Sequence, residues 1–587
     1  MSQFFDQASL VMVPSGYKDG KVYSQKPLST DGELTFSRGS DIEATRVASN
    51  GYIEKAKVNL LLRSNSFDTI WGATSVSVTG GQAGYDGTNN AWLIDITAGT
   101  SSQRVNQTIS ESGVLTFSVY AKAGTLNWIS LRGDAPAVSE AYFNLATGAL
   151  GNLAGAGIDS SIESVGSGWY RCSVSFVDTT IVRIYLATDD NDVSQSSGNV
   201  YIQDAQLNYG LVAQEYQETT TTSVVSGITN DMPRLDYSGG ASCPSLLLEP
   251  SRQNYATQSE YIGAWAQSAT IGTDNFAVSP EGVQNASKVS ASLTSATHFI
   301  QLTGGAVGNT ATISLFAKAD TGSYIQLTNP YSGGIFANFD VATGVVGTKG
   351  ASCISSDIED YGNGYYRCIA VFDNTGFNSN IYRHYIVPSA SAAFGLSWLP
   401  ASDTSLFIYG HSWEAGSYST SYIPTYGTSA SRTQDAASKT GISSLIGQTE
   451  GTALLDFQYN GAQESIIMDI AASGLSPQDR IILYQPSGGF VQFIIFENNV
   501  QQVSIASSSY AIGERLKVGI AYKTNDFAFY INGVQIGTDN SGSVPATSRI
   551  DIGNRQDGTY PAPISVNQTL LFTTRLSNAD LATLTTL

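Results

Sequence analysis

The chain is poor in charge and in the residue types that build metal and redox centres. Only 13% of its 587 residues are charged, and it has three histidines and four cysteines, whereas about 25% of an average globular protein is charged. No cysteine or histidine spacing matches a zinc site. The sequence also has no Gly-rich phosphate loop and no Gly-x-Ser-x-Gly elbow. These absences argue against zinc proteins, phosphate-loop enzymes and serine hydrolases.

Basic residues are scarce as well. Lys and Arg number 29 against 49 Asp and Glu, which gives a formal net charge of −20. Nucleic-acid binding needs clustered basic residues, so we expect no nucleic-acid partner. No stretch approaches 18 apolar residues, and residues 1–30 lack the pattern of a secretory signal. The sequence therefore predicts no membrane insertion and assembly in a cytoplasm, where the cysteines remain thiols. A bridge between Cys353 and Cys368 is the alternative.

A stretch near the first quarter of the chain occurs twice. Residues 115–123 (LTFSVYAKA) match residues 311–319 (ATISLFAKA), and Lys122 and Lys318 are 196 residues apart. The same offset relates two further pairs of segments: Phe143–Gly148 with Phe339–Gly344, and Glu163–Cys172 with Glu359–Cys368. Three ungapped matches at one period indicate a duplicated domain.

The repeated segments alternate apolar and polar residues. Period two is the pattern of a half-buried strand, and strands at short spacing separated by Gly-rich turns predict a β-sandwich. Near the C-terminus, Asn532-Gly533 separates two more strand-like runs, which is a strong hairpin signal. Ser577 and Asp580 predict one short capped helix at the end of the chain.

Several phrases outside the repeats resemble a known family. The segments 36–54 and 58–71 resemble the leader of bacteriophage virion proteins of the tail-fibre and appendage type. The resemblance continues at 232–250. Both repeats look like jelly rolls of the carbohydrate-binding-module class, and the last domain resembles the concanavalin-A-like or laminin-G-like sandwich. The expected fold class is thus all-β, with tandem jelly-roll sandwiches followed by a concanavalin-A-like sandwich.

This organisation gives six segments. They are an N-terminal docking segment (1–58), module 1 (59–218), a connector (219–253), module 2 (254–426), a linker (427–448) and the concanavalin-A-like domain (449–587).

The resemblance implies a virion protein that is assembled in the host cytoplasm and exposed on the particle. Its N-terminal segment would dock onto other virion proteins, and a homotrimer is plausible for a fibre. The expected function is non-enzymatic adhesion to host surface glycans, because the acids of the last domain are scattered and do not form the close carboxylate pair of a retaining glycosidase. A spacer or decoration protein without sugar binding and a capsule depolymerase are the two alternatives.

Aromatic side chains are the expected sugar-binding groups, since a ring face stacks on the apolar face of a sugar. The candidates by residue type are Trp128, Trp265, Tyr324, Tyr331 and Trp398.

Two acidic loops of module 1 are candidates for a structural Ca²⁺ site, because oxygen ligands suit that ion. The carboxylates are those of Asp86, Asp189, Asp190 and Asp192. Solvated Asx turns are the alternative interpretation.

Overall fold

The computed structural model describes residues 2–99, 102–134, 136–376, 380–474 and 478–587. Strands dominate this part of the chain, and its α-helices are α1 (Ser2–Gln7) and α2 (Asn578–Thr585). Short 3-10 turns lie at Thr30–Gly32, Ser238–Gly240 and Ile262–Ala264. The predicted all-β class of tandem sandwiches is confirmed. Neither helix is long enough to cross a membrane.

The N-terminal leader and module 1 contain the first seventeen strands. The leader has β1 (Leu10–Met12), β2 (Gly16–Lys18), β3 (Lys21–Tyr23), β4 (Glu33–Ser37), β5 (Thr45–Val47), β6 (Ile53–Lys55) and β7 (Lys57–Asn59). Module 1 has β8 (Gly72–Thr74), β9 (Val76–Gln82), β10 (Ala91–Ile96), β11 (Arg104–Ala123), β12 (Trp128–Asp134), β13 (Ser139–Asn144), β14 (Ala149–Gly155), β15 (Asp159–Gly166), β16 (Trp169–Ala187) and β17 (Asn199–Tyr209).

The connector and module 2 follow. The connector has β18 (Val224–Ser226), β19 (Leu235–Asp236), β20 (Ser245–Leu248) and β21 (Arg252–Asn254). Module 2 has β22 (Ala266–Ser268), β23 (Thr270–Ala277), β24 (Ala286–Ala291), β25 (His298–Thr303), β26 (Thr310–Ala319), β27 (Tyr324–Thr328), β28 (Phe336–Asp340), β29 (Val345–Lys349), β30 (Cys353–Asp360), β31 (Tyr365–Asp373), β32 (Ile381–Ile386) and β33 (Thr404–Ala415).

The linker and the last domain complete the chain. Their strands are β34 (Ala430–Arg432), β35 (Ala436–Thr440), β36 (Glu450–Tyr459), β37 (Ser465–Ala471), β38 (Arg480–Gln485), β39 (Phe490–Glu497), β40 (Val500–Ser509), β41 (Arg515–Lys523), β42 (Asp526–Ile531), β43 (Val534–Asp539), β44 (Arg549–Ile552) and β45 (Ile564–Phe572).

Each module consists of two packed sheets. In module 2 the front sheet has the order β22-β25-β32-β27-β28-β29 and the back sheet β23-β24-β33-β26-β31-β30. In module 1 the long strands β11 and β16 bend at register shifts and belong to both sheets. Its front sheet contains β8, the first half of β11, the second half of β16, β12, β13 and β14; the other strands form the back sheet. The core lies between the sheets, where Cys172 and its repeat partner Cys368 pack as free, buried thiols.

The third sandwich draws its strands from three distant parts of the chain. Its first sheet has the order β19-β20-β45-β36-β41-β42-β43, with β1 also paired to β45, and its second has β2-β3-β4-β35-β44-β37-β38-β39-β40. The leader is part of this sandwich, because strand pairing between the two ends of the chain buries Leu10, Met12, Leu34 and Phe36 in its core. Docking of the leader onto other virion proteins stays a prediction.

A buried ion network fastens leader, connector and linker together. Arg38 and Arg234 both contact Asp435, and Glu249 contacts Arg234 and Arg432. All three guanidinium side chains are fully buried. Burial alone would raise the pKa of Glu249, but Arg432 and Arg234 lower it to about 2. The Glu249 carboxylate therefore stays charged, and the ion pairs of Glu249 and Asp435 hold the three segments in one arrangement.

Candidate functional site

The outer side of the module 1 front sheet carries a patch of aromatic and charged side chains, in which Trp128, Arg132 and Arg183 are partly exposed. The patch also contains side chains that are buried: Ser130, Glu140, Tyr142 and Tyr185. Strand alternation produces it, because Leu131 and Ile184 point into the core while their neighbours point away. One row across the strands pairs Arg104 with Tyr185, Tyr185 with Ser130, and Ser130 with Tyr142. We call this surface the module 1 face; its residues are Arg104, Trp128, Ser130, Arg132, Asp134, Glu140, Tyr142, Arg183 and Tyr185.

Ion pairs and hydrogen bonds fix the polar groups of the module 1 face. Arg132 Nε donates to Asp134 Oδ1 at 2.6 Å, and Arg183 pairs with the same carboxylate. Arg183 Nη1 also donates to the hydroxyl of Tyr185 at 3.2 Å. The Arg132 guanidinium carbon lies 5.8 Å from the Tyr185 ring centroid, at cation–π distance. The guanidinium groups are therefore held in place before any ligand arrives.

Glu140 provides a second polar anchor on this face. Its Oε1 accepts a hydrogen bond of 2.5 Å from Ser130 Oγ, and its Oε2 lies 3.8 Å from Arg132 Nη1. Burial and the neighbouring Glu140 carboxylate raise the pKa of Tyr142 to about 12. Tyr142 therefore remains a neutral hydrogen-bonding phenol at any physiological pH.

Trp128 lies at the edge of the face and packs against a glycine. A Cβ placed on Gly151 would lie 2.8 Å from Trp128 Cζ3, 2.9 Å from Tyr142 Cβ and 2.6 Å from Asp190 Oδ1. The absent side chain at Gly151 leaves room for the indole ring. The structure thus brings two predicted site residues, Trp128 and Asp190, to one place, and Trp128 stays partly exposed.

Module 2 repeats part of this arrangement. Ile181-Val182-Arg183-Ile184-Tyr185 has its counterpart in Ile381-Tyr382-Arg383-His384-Tyr385, and Arg383 Nη1 lies 3.3 Å from the Tyr385 hydroxyl. Tyr324 begins strand β27 as Trp128 begins β12. The two predicted aromatics at these positions are therefore repeat equivalents.

A loop of module 2 lies over its own front sheet. Gln326 Nε2 donates to Ala393 O at 3.1 Å, Gly395 N donates to Gln326 Oε1 at 2.9 Å, and Asn338 Nδ2 donates to Ala392 O at 2.8 Å. Tyr324 packs at the edge of the small apolar cluster that this loop forms. The corresponding loop of module 1 is shorter, and Asp190 Oδ1 accepts from Asn152 N at 2.7 Å. On the module 1 face, Trp128 and the guanidinium groups of Arg132 and Arg183 remain partly exposed beside this loop.

The other predicted aromatics are placed differently. Trp265 is only 5% exposed and packs against His411 in the core, so it is not available for stacking on a sugar. Trp398 is partly buried, and its Nε1 donates to Ile386 O at 3.1 Å, which anchors the loop over module 2. Tyr331 is 53% exposed at the turn between β27 and β28. Residue type alone could not predict which of these aromatic side chains are exposed, because exposure depends on tertiary packing.

The acidic loops of module 1 form Asx turns. Asp86 Oδ1 accepts from the backbone and hydroxyl of Thr88 at 3.0 and 2.7 Å. Asp189 accepts from the N–H of Asp190 at 2.8 Å, and Asp192 from that of Ser194 at 2.7 Å. No group of three or more His, Cys, Asp or Glu suited to a metal occurs within the described ranges. These carboxylates do not fit a Ca²⁺ ion, which needs six to eight oxygens.

The sequence did not point to Arg132, Glu140, Tyr142, Arg183 and Tyr185 as site residues. A signal for two of them existed in the Ile-x-Arg-x-Tyr segments, which lie 200 residues apart. Period two places Arg183 and Tyr185 on one face of a strand. The meeting of β12, β13 and β16 on that face required the strand order.

Comparison with known proteins shows only limited similarity, and only to solved structures. No family model matches the chain, and no curated protein sequence matches it. Among solved structures, the CBM40 of the Ruminococcus gnavus IT-sialidase bound to alpha2,3 sialyllactose is 15% identical, covers 24% of this chain and 84% of its own, and has a TM-score of 0.22. A native heptameric SAP-like pentraxin from Limulus polyphemus is 20% identical, with coverages of 24% and 70% and a TM-score of 0.20. Likeness at these TM-scores says nothing about a ligand.

Proposed function

We propose that the protein is a non-enzymatic glycan-binding protein and that the module 1 face is its sugar site. The observation that carries this proposal is the combination of a partly exposed indole, Trp128, with fixed and partly exposed Arg and carboxylate groups on one side of a sheet. A ring stacks on the apolar side of a sugar, and charged groups bond its hydroxyls.

The setting we propose is a bacteriophage virion appendage of the tail-fibre type, assembled in the host cytoplasm and exposed on the particle. The leader and connector phrases at 36–54 and 232–250 support this origin by their resemblance to such proteins. A homotrimer is proposed on the same ground. Co-sedimentation of the protein with phage particles from a host lysate tests the setting, and light scattering of the purified protein tests the trimer.

The proposed lack of enzymatic activity is supported by the acids of the third sandwich. Asp469 and Asp551 face each other on neighbouring strands, but both are nearly fully buried and lie against Arg480 and Arg549. A hydrolase needs carboxyl groups that reach a bound substrate.

The test of sugar binding is a glycan array with the full-length protein, followed by titration of any glycan that binds. Trp128→Ala should weaken binding at least tenfold. Tyr324→Ala, the matched change in module 2, should leave binding unchanged. The length of the glycan should stay the same during incubation, and addition of a calcium chelator should have no effect.

A spacer role has support from one observation, the loop that lies over the front sheet of module 2. If the folded protein binds no glycan on the array or on host cells, the spacer or decoration role replaces the adhesin. If the glycan is shortened, the depolymerase replaces it.

A further inference from the structure

A cleft lies where the leader, module 1 and module 2 meet, away from the module 1 face. Its volume is about 470 Å³. The leader contributes Tyr52 and Lys55, the end of module 1 contributes Gly210, and module 2 contributes Glu260 and Asn285. A volume of this size holds a small organic molecule.

The charges that line this cleft do not balance. Lys57 pairs with Glu215, and Glu54 pairs with Arg46 outside the cleft. The remaining ammonium, that of Lys55, contacts two carboxylates, Glu260 and Glu281. One negative charge is therefore left over among the described lining residues.

Glu260 has one free oxygen in this setting. Its Oε1 accepts from Lys55 Nζ at 2.9 Å, Tyr409 at 3.1 Å and Tyr422 at 2.9 Å. Its Oε2 has no hydrogen-bond partner among the described residues, although the side chain is only 2% exposed. This oxygen faces Gly210, since a Cβ added there would lie 4.0 Å from it. A buried carboxylate oxygen without a donor is costly, so it points to a missing partner.

A second unpartnered acceptor lines the same cleft. Asn285 is 2% exposed, its Nδ2 donates to Glu281 Oε2 at 3.2 Å, and its Oδ1 has no partner among the described residues. Burial also raises the pKa of Glu281; Lys55 opposes this effect and Glu260 adds to it. The cleft thus has two buried acceptor oxygens, Glu260 Oε2 and Asn285 Oδ1, that receive no hydrogen bond from the described residues.

We propose that this cleft binds a small organic cation that carries N–H donors, an alkylammonium group. The ammonium donates to Glu260 Oε2 and Asn285 Oδ1 and balances the second carboxylate. A divalent metal is disfavoured because Lys55 already lies between Glu260 and Glu281, which leaves two free oxygens where Ca²⁺ needs at least six. The rings of Tyr52 and Tyr209 at the cleft wall suit an alkyl chain beside the cation.

The probe is cadaverine. Its binding to the whole protein is measured by saturation-transfer NMR and by calorimetry. Saturable binding is expected. Glu260→Gln removes the charge and should weaken binding at least tenfold. Val283→Trp should also abolish binding, because Val283 is 41% exposed and lines the cleft, so the larger ring fills it without disturbing a core.

The matched control is Val278→Trp, which changes a 52% exposed residue of the same module outside the cleft lining. This variant and Trp128→Ala should bind cadaverine like the unchanged protein. The proposal is overturned if cadaverine does not bind, if Val283→Trp binds it equally well, or if tetramethylammonium, which has no N–H, or lactose competes as strongly as cadaverine.

Discussion

Arg38 and Asp435, which are 397 positions apart in the chain, form an ion pair of 3.4 Å in which both side chains are fully buried. Asp435 also contacts Arg234, so a single carboxylate joins the leader, the connector and the linker. The three sandwiches are therefore not independent domains on flexible linkers, because the leader, the connector and the linker share one buried ion network.

Asp435→Asn tests this network. The substitution keeps the shape and removes the charge, which leaves two buried guanidinium groups short of a partner. We expect a loss of about 3–5 kcal/mol in the free energy of unfolding of the region. Urea denaturation should measure this loss, and hydrogen exchange should show where it occurs. The control is Asp403→Asn, because the Asp403 carboxylate is largely exposed.

The leader should be required for the third sandwich. Phe36 is 1% exposed and lies opposite Ala437 in the neighbouring strand. Phe36→Ala should cost about 3–5 kcal/mol by leaving a cavity, and the amides of Ile564–Phe572 should then exchange faster. Leu28→Ala, at a side chain 91% exposed, should have little effect. Equal protection in both variants would contradict the structural role of the leader.

Gly151→Ala should disturb the module 1 face without unfolding the module. The new Cβ would lie 2.8 Å from Trp128 Cζ3, so the indole ring must move. We expect a change in tryptophan fluorescence and weaker binding of any glycan that binds to this face. Gly308→Ala, in module 2 at a position where a Cβ meets nothing within 4 Å, changes a glycine of the other module. It should leave glycan binding unchanged.

Acid should destabilise module 2, which contains all three histidines. His384 Nε2 lies 3.0 Å from His411 Nδ1, and both rings are buried. Burial lowers the pKa of His384 to about 3, and burial together with His384 lowers that of His411. Stability from these neutral rings is present above pH 6.5 and is lost as the pH falls toward 3, since the unfolded chain binds the protons.

The measurement is thermal unfolding of the whole protein between pH 7 and pH 5. The loss should be at most about 1.4 kcal/mol per pH unit for each histidine. His384→Asn, which cannot titrate, should flatten this dependence. An unchanged slope in the variant would rule out the histidine pair as its source.

Much of the local structure could be predicted from the sequence. The Asn532-Gly533 turn joins β42 and β43, Ser577 caps α2, and the repeated strand motifs bury Trp169 and Tyr365. These features depend on residues close together in the chain. Residue type could not distinguish the candidate site residues, since Trp128 is partly exposed whereas Trp265, of the same residue type, is buried.

The sequence by itself determined the all-β class, the duplication and the alternation that places Arg183 and Tyr185 on one side of a strand. These follow from period two and from a repeat that is visible without coordinates. Tertiary structure decided that the leader completes the last sandwich and that a long loop lies over the front sheet of module 2. Pairing between strands hundreds of residues apart leaves no local pattern, because hydrogen bonds of the backbone are the same for every sequence.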